Sequence, residues 1–255
     1  MGKPKILVTN DDSIHAGGIK ALVKSLMPLG KITVVAPKLP QSGMGHAITL
    51  NRPIRMKKVD FIEGVEAYEC SGTPADCVKL AKSVLFKKKN PDLCVSGINH
   101  GSNASINVVY SGTMSAAMEA AIEGIPAVGF SLLSWDEAAD MNASANIAYS
   151  LIKKILNADN GKNLLLNVNI PYMPLEDIKG VKVVRQADAK WVEEYEERED
   201  PMGNKYYWLK GQFVNFDDRQ DTDEFVLSNG YVSIVPIKFD LTAFEEIKDI
   251  KKIFD

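Results

Sequence analysis

Residues 6–12 read Ile6-Leu7-Val8-Thr9-Asn10-Asp11-Asp12, an apolar run that ends in an amide and two adjacent carboxylates. A continuous apolar run predicts a strand of a parallel sheet, because such a strand is covered on both faces. Ligands of open α/β sheets usually bind beyond the carboxyl ends of the strands, where these carboxylates would lie. Neighbouring carboxylates repel each other unless a cation or a shared proton neutralises them. The pattern therefore indicates a divalent-cation site or, alternatively, an N-cap formed by Asp12 or Ser13.

The composition is ordinary for a soluble protein: 255 residues, 45% hydrophobic and 25% charged, with a net charge of −3. A chain of this length can bury a substantial core. The slightly acidic balance disfavours broad nucleic-acid binding, which needs a basic surface. No apolar run has membrane-spanning length, the first residues do not resemble a signal peptide, and the three cysteines form no CxxC pair. We therefore expect a cytoplasmic protein without a membrane partner.

Helix and strand patterns alternate after the first strand. A helical stripe over residues 19–29 is followed by an apolar strand over residues 32–36, and this β-loop-α-β unit predicts a parallel sheet. Further strands are predicted at residues 65–70, 93–96, 127–132, 164–171 and 231–237. Further helices are predicted at residues 73–86, 114–123 and 136–156, the first with Thr73 as its N-cap and Asp76 at its third position. Thr222 starts a short helix or turn with capping chemistry. The sequence therefore predicts an α/β fold.

Bulky and charged residues alternate from about residue 188, on both sides of the turn sequence Asp200-Pro201-Met202-Gly203-Asn204. This pattern predicts a β-hairpin arm over residues 188–212, polar on one face and aromatic on the other. Two strands cannot bury an aromatic face alone, so we expect the arm to pack on another subunit. The alternative is that it packs on its own domain. With no linker or repeat, residues 1–255 are expected to form one domain with a projecting arm.

Three loops follow parallel strands at one edge of the predicted sheet, and they carry Asn10-Asp11-Asp12, Ser42-Gly43 and Asn99-His100-Gly101. Carboxylate, hydroxyl and amide oxygens suit Mg²⁺, Mn²⁺ or Ca²⁺ better than zinc. Tyr110-Ser111-Gly112-Thr113 opens a helix, where backbone N–H groups and two hydroxyls can bind an anion. A cation beside an anion site indicates phosphoryl transfer or phosphate-ester hydrolysis. Taken singly, these residues could instead be turn or capping residues.

The chain resembles the survival protein E (SurE) family in an ordered set of motifs: Ile6-Leu7-Val8-Thr9-Asn10-Asp11-Asp12, Val35-Ala36-Pro37, Gln41-Ser42-Gly43, Ser71-Gly72-Thr73-Pro74-Ala75-Asp76-Cys77-Val78, Val95-Ser96-Gly97-Ile98-Asn99-His100-Gly101-Ser102-Asn103 and Tyr110-Ser111-Gly112-Thr113. Asn167-Val168-Asn169-Ile170-Pro171, Thr222-Asp223 and Gly230-Tyr231-Val232-Ser233 extend the resemblance over nearly the whole chain. It implies a three-layer α/β/α, Rossmann-like fold with a mostly parallel sheet, and subunits joined through the hairpin as a homodimer or homotetramer. Family members usually have Gly where Ser13 stands and Pro where Gly17 stands.

The resemblance also implies a metal-dependent nucleotidase that hydrolyses nucleoside 5′- and 3′-monophosphates, with polyphosphate as a further substrate of some members. The implied ligands of one divalent ion per subunit (Mg²⁺ or Mn²⁺, or Ca²⁺ in a crystal) are Asp11, Asp12, Ser42 and Asn99. We hypothesise that Asp11 positions or deprotonates the attacking water, with Asp12 as the second catalytic carboxylate. The residues expected to contact the phosphate are Asn10, Gly43, His100, Ser111, Gly112 and Thr113.

Two other functions are compatible with the same residues. An aspartyl-phosphate phosphatase would use Asp11 as a covalent nucleophile, although enzymes of that class commonly space two aspartates two apart, and here they are adjacent. A nucleotide-binding regulatory module would bind the substrate without turnover. No stretch of the chain predicts contacts with a base edge, so the preferred base and the position of the phosphate stay open.

Overall fold

A nine-stranded sheet lies at the centre of the computed structural model, which describes residues 2–158 and 164–254. The strands in the described part of the chain are β1 Lys5–Thr9, β2 Lys31–Pro37, β3 Met56–Lys58, β4 Glu66–Cys70, β5 Leu93–His100, β6 Ala127–Leu132, β7 Leu165–Ile170, β8 Val181–Val183, β9 Ala189–Glu199, β10 Lys205–Asn215 and β11 Val232–Pro236. Strands β9 and β10 form a separate antiparallel pair, and the others form the central sheet.

Helices cover both faces of the sheet. They are α1 Gly17–Leu26, α2 Pro74–Leu80, α3 Asn107–Tyr110, α4 Gly112–Ile122, α5 Asn142–Leu156, α6 Asp223–Ser228 and α7 Ile247–Phe254. Helices α1 and α5 contribute to one buried apolar cluster, through residues such as Leu22 and Ile147. Helices α2 and α4 contribute to a second cluster, through residues such as Val78 and Met114. The chain therefore has the predicted three-layer α/β/α architecture.

The strand order places the carboxyl ends of β1 and β5 at a topological switch point. The order is β3-β4-β2-β1-β5-β6-β7-β11-β8, and the six strands from β4 to β7 in this order run parallel. The chain moves outward from β1 to β2, and later returns to place β5 on the other side of β1. In open α/β sheets the crevice at such a reversal is the usual ligand site. Asp11 and Asn99 both lie there.

Strand β5 and helix α5 differ clearly from their predicted bounds. Strand β5 was expected to end at Ser96, but it continues to His100, because Asn99 and His100 still pair with β6 after a shift in register. The helix predicted from residue 136 begins at Asn142. The side chains of Asp136 and Asp140 accept hydrogen bonds from backbone N–H groups two residues further on, at 2.9 Å. Such local bonds compete with helix formation.

The predicted hairpin is present. Ala189 pairs with Asn215 at its base, and Glu199 pairs with Lys205 next to its turn. Its aromatic side chains lie on both faces, contrary to the predicted division into a polar and an aromatic face, because Trp208 alternates with Tyr207 along β10. They are largely exposed, and Tyr195, for example, exposes 68% of its surface. Strand β8 and helix α7 had no counterpart in the sequence prediction. Among the helices of the described residues, none combines the length and the apolar character that a membrane crossing requires.

Candidate active site

The carboxylate of Asp11 is buried directly after β1. The hydroxyl and the backbone N–H of Thr113 donate hydrogen bonds to it, so the amino terminus of α4 faces this negative charge. Gly112 packs against the same side chain, since a Cβ atom on Gly112 would lie 2.7 Å from Cβ of Asp11. Burial and the nearby charge of Asp12 raise the pKa of Asp11 to about 6, although the bonds from Thr113 lower it. A bound cation would relieve both unfavourable effects.

The side chain of Asp12 connects two loops of the site. Its Oδ2 accepts a hydrogen bond of 3.1 Å from the backbone N–H of His100, at the end of β5. Burial raises the pKa of Asp12, and the bond from His100 partly offsets this effect. The loops that follow β1 and β5 are therefore held together by one of the two predicted catalytic carboxylates.

The loop after β2 carries Ser42 and Gly43, and both of its ends are anchored. On one side, the backbone N–H of Gln41 donates to the carbonyl of Asp11 at 2.8 Å. On the other side, the N–H of Gly45 donates to the carbonyl of Tyr110 at 3.1 Å. These bonds hold an exposed loop between the β1 loop and the start of α4.

Asn99 is buried, and its amide nitrogen donates to the carbonyl of Gly101 at 2.8 Å. Its amide oxygen is therefore the atom left for a ligand. The following loop is held by Asn103, whose N–H donates to Oδ1 of Asn169 and whose side chain donates to Ser131, at 2.8 and 2.7 Å. These buried amides fix the position of the loop from the inside of the sheet.

The loops surround a cavity of about 200 Å³. The predicted site residues that line it are Asp11, Ser42, Gly43, Asn99, His100 and Ser111. The other lining residues are Ser102, Asn103, Asn107, Tyr110, Trp135 and Trp191. Of the remaining predicted site residues, Asp12 binds His100, while Gly112 and Thr113 contact Asp11. Asn10 is buried, and its amide nitrogen donates to the carbonyl of Ser13 at 2.8 Å.

The hydroxyl of Ser111 has a structural partner as well as a place in the cavity wall. Its Oγ accepts a hydrogen bond of 3.0 Å from the N–H of Met114, which makes Ser111 the N-cap of α4. The capping role that the sequence offered as an alternative is therefore present. To contact a phosphate, Ser111 would donate the proton of the same hydroxyl, whose oxygen already accepts the bond from Met114.

The chemistry of the residues fits a hard divalent cation. The candidate ligands are two carboxylates, a hydroxyl and an amide, all of which bind through oxygen. Near them, Oδ1 of Asn10 and Nδ1 of His100 are buried without a hydrogen-bond partner among the described residues. Within residues 2–158 and 164–254, no three His, Cys, Asp or Glu side chains cluster as a metal site. The candidate set contains only two such side chains, so it relies on Ser42 and Asn99.

Trp135 and Trp191 line the cavity, although no motif in the sequence predicts this position for either of them. Trp191 was predicted only as part of the hairpin, and nothing in the sequence near Trp135 distinguishes it from a surface residue. Both reach the cavity because the loop after β6 and the first strand of the hairpin come close to the carboxyl ends of β1 and β5.

Comparison with known proteins agrees with the fold and the motifs. A family model described as survival protein SurE matches residues 6–193. A protein of Christiangramia forsetii named 5′-nucleotidase SurE is 55% identical over 250 residues, which are 97% of this chain and 96% of that protein. A protein of the same name from Flavobacterium psychrophilum is 53% identical over 249 residues, again 97% of this chain and 96% of the relative.

A solved structure shares the architecture. The crystal structure of the SurE protein from Aquifex aeolicus superimposes with a TM-score of 0.86 at 39% identity, covering 99% of this chain and all of that one. Both the family model and the relatives extend over most of the sequence, from the first strand to the hairpin. The chain belongs to the SurE family.

Proposed function

We propose that this protein is a metal-dependent nucleotidase that hydrolyses nucleoside 5′- and 3′-monophosphates to nucleoside and phosphate. The main support is that oxygen donors from three separate loops, on Asp11, Ser42 and Asn99, line one cavity at the switch point of the sheet. The names of the relatives, 5′-nucleotidase SurE, support the same activity.

Asp11, Asp12, Ser42 and Asn99 would hold one divalent ion, Mg²⁺ or Mn²⁺. When bound, the ion supplies Lewis-acid polarisation of a phosphate oxygen. Asp11 orients the attacking water and accepts its proton. Thr113 orients Asp11 and favours its ionised form, because its hydroxyl donates a hydrogen bond to the carboxylate.

The phosphate would be held by the wall of the cavity. Gly43, His100 and Ser111 line it and can donate N–H or hydroxyl hydrogen bonds to phosphate oxygens. Asn10, Gly112 and Thr113, which were expected to contact the phosphate, are better placed to support the loops and Asp11. We therefore assign them positioning roles within the same site.

A metal-by-substrate panel on purified protein tests this function. Metal-free enzyme would be assayed with Mg²⁺, Mn²⁺ or Ca²⁺ on 5′-AMP, 3′-AMP, 5′-GMP and short polyphosphate, with phosphate release as the readout. We expect release from nucleoside monophosphates only after a metal ion is added. Nucleotide binding without phosphate release under any metal would instead identify a regulatory binding module. A trapped phosphoenzyme on Asp11 would support the aspartyl-phosphate alternative.

We further propose that the hairpin joins this chain to a second copy. On the arm, three aromatic side chains are largely exposed: Tyr195 by 68%, Tyr207 by 55% and Trp208 by 57%. An isolated two-stranded ribbon cannot bury such side chains, and exposed apolar surface of this kind is typical of an interaction site. Light scattering of the wild type and of Trp208→Glu tests this role. We expect a dimer or tetramer for the wild type and a smaller species for the variant. A monomeric wild type would contradict it.

A further inference from the structure

The cavity has a polar part and an aromatic part. Its polar part includes Asp11, Ser42 and Asn99, which come from the loops after β1 and β2 and from the end of β5. Its aromatic part includes Trp135, from the loop after β6, and Trp191, from the hairpin. A phosphate and a divalent ion need only the polar part. The aromatic side chains require another explanation.

The indole of Trp135 packs closely against Gly101. A Cβ atom on residue 101 would lie only 2.5 to 2.8 Å from three carbons of the indole ring, and Gly101 has a φ of +101°. A glycine at this position therefore makes room for the ring. The backbone covers one side of the indole, yet 74% of the side chain is exposed. The other side of the ring is open to a ligand.

Trp191 is held in place by two contacts. Its Nε1 donates a hydrogen bond of 2.8 Å to Oδ1 of Asn107, and its ring meets Phe213 edge to face at 5.6 Å between centroids. Asn107 and Trp191 both line the cavity, so the hydrogen bond fixes a second indole at its wall. An exposed indole that is held rigidly loses little side-chain entropy when a flat ligand stacks on it.

We propose that Trp135, supported by Gly101, is a stacking platform for the nucleobase of the substrate, and that Trp191 borders the same base site. This role depends on the proposed nucleotidase function and names the group by which the enzyme recognises nucleotides. Stacking on an aromatic ring accepts every base, because each base has a π-face. The site therefore favours nucleotides over base-free phosphate esters and discriminates little among bases.

The test compares a substrate that has a base with one that lacks it. KM for 5′-AMP and for ribose 5-phosphate would be measured for the wild type, Trp135→Ala and Trp135→Phe. We expect Trp135→Ala to raise KM for 5′-AMP about tenfold, in line with typical stacking strength, and to leave KM for ribose 5-phosphate unchanged. Trp135→Phe keeps a flat ring and should restore most of the affinity. Phe239→Ala, an exposed aromatic change outside the cavity lining, is the control.

Two results would overturn the stacking role: equal changes in KM for both substrates, or no change for either. A binding measurement separates this failure from failure of the nucleotidase function. Adenosine titrated into metal-free protein should quench tryptophan fluorescence in the wild type and much less in Trp135→Ala. Quenching without any phosphate release would refute the nucleotidase activity and retain the base platform. Phosphate release with identical quenching in both proteins would refute the base platform and retain the nucleotidase activity.

Discussion

The hydroxyl of Thr113 donates a hydrogen bond to the buried carboxylate of Asp11, across 102 residues of sequence. The bond joins the start of α4 to the end of β1, and the backbone N–H of Thr113 points to the same carboxylate. The first turn of α4 thus stabilises a negative charge within the protein as well as facing the cavity. Substitutions of Thr113 therefore test how the orientation and the pKa of Asp11 affect activity.

Thr113→Val should lower kcat/KM at pH 7 about tenfold, because a hydrogen bond to a charged group is lost. This bond lowers the pKa of Asp11, so its removal raises that pKa, and a larger fraction of Asp11 is protonated at pH 7. The acid limb of the pH profile should therefore move to higher pH. Thr113→Ser keeps the hydroxyl and is the matched control. An unshifted profile in the valine variant would contradict the assignment.

Gly112→Ala should reduce activity at least tenfold without unfolding the protein. The added Cβ would lie 2.7 Å from Cβ and 2.8 Å from Oδ2 of Asp11, so the carboxylate must move. The control is Gly17→Ala, since a Cβ there meets nothing within 4 Å. Phosphate release and circular dichroism should be measured on both variants. Wild-type activity in Gly112→Ala would show that the position of Asp11 is not critical.

Asp12→Asn should abolish metal-dependent turnover and leave the fold intact, since an amide is a weaker ligand for a hard cation. Isothermal titration with Mn²⁺ should show the corresponding loss of binding. Asp60→Asn changes an exposed carboxylate elsewhere and provides the comparison. Near-normal phosphate release by the Asp12 variant would refute its place among the metal ligands.

The stability of the protein should fall as the pH rises from 5 to 8, partly because of Glu224. Burial, together with the charge of Asp223, raises the pKa of Glu224 from 4.5 to about 7. Its ionised form is therefore disfavoured in the folded state. The resulting decrease in the free energy of unfolding is absent below pH 4.5, grows between pH 4.5 and about 7, and reaches its full size above pH 7.

Glu224→Gln removes this titration and tests its effect. Urea midpoints should be higher for the variant than for the wild type at pH 8, and the difference should shrink towards pH 5. Glu63→Gln, at an exposed carboxylate, controls for general charge effects. A difference that does not depend on pH would show that Glu224 acts through packing rather than ionisation.

Ser13→Gly should stabilise the protein by about 1 kcal/mol, because the relief of backbone strain outweighs the added entropy of the unfolded chain. Ser13 has a φ of +91°, a conformation that glycine adopts much more easily. Members of the SurE family usually have a glycine where this chain has Ser13. Thermal unfolding of the variant would measure the effect, and a fall in midpoint would mean that the hydrogen bond of 3.3 Å from the N–H of His15 to Oγ of Ser13 matters more.

Local features of the structure could be predicted well. The apolar run before Asp11 forms a parallel strand, Thr73 caps α2 in a capping box with Asp76, and Thr222 caps α6. The alternation around residues 200–204 forms a hairpin. Each of these depends on residues close in sequence, so periodicity and capping chemistry suffice to predict them.

The sequence by itself determined most of the elements, their order along the chain, and the oxygen-donor residues at the ends of the strands. Only the tertiary structure decided that Thr113 and Gly112 contact Asp11, that Asp12 binds the loop after β5, and that Trp135 rests on Gly101 beside the same cavity. The physical reason is that such contacts depend on which strands become neighbours and on how closely helices approach the sheet. Packing between residues distant in sequence decides the order of the strands and the distance between helices and sheet, and local sequence patterns do not predict this packing.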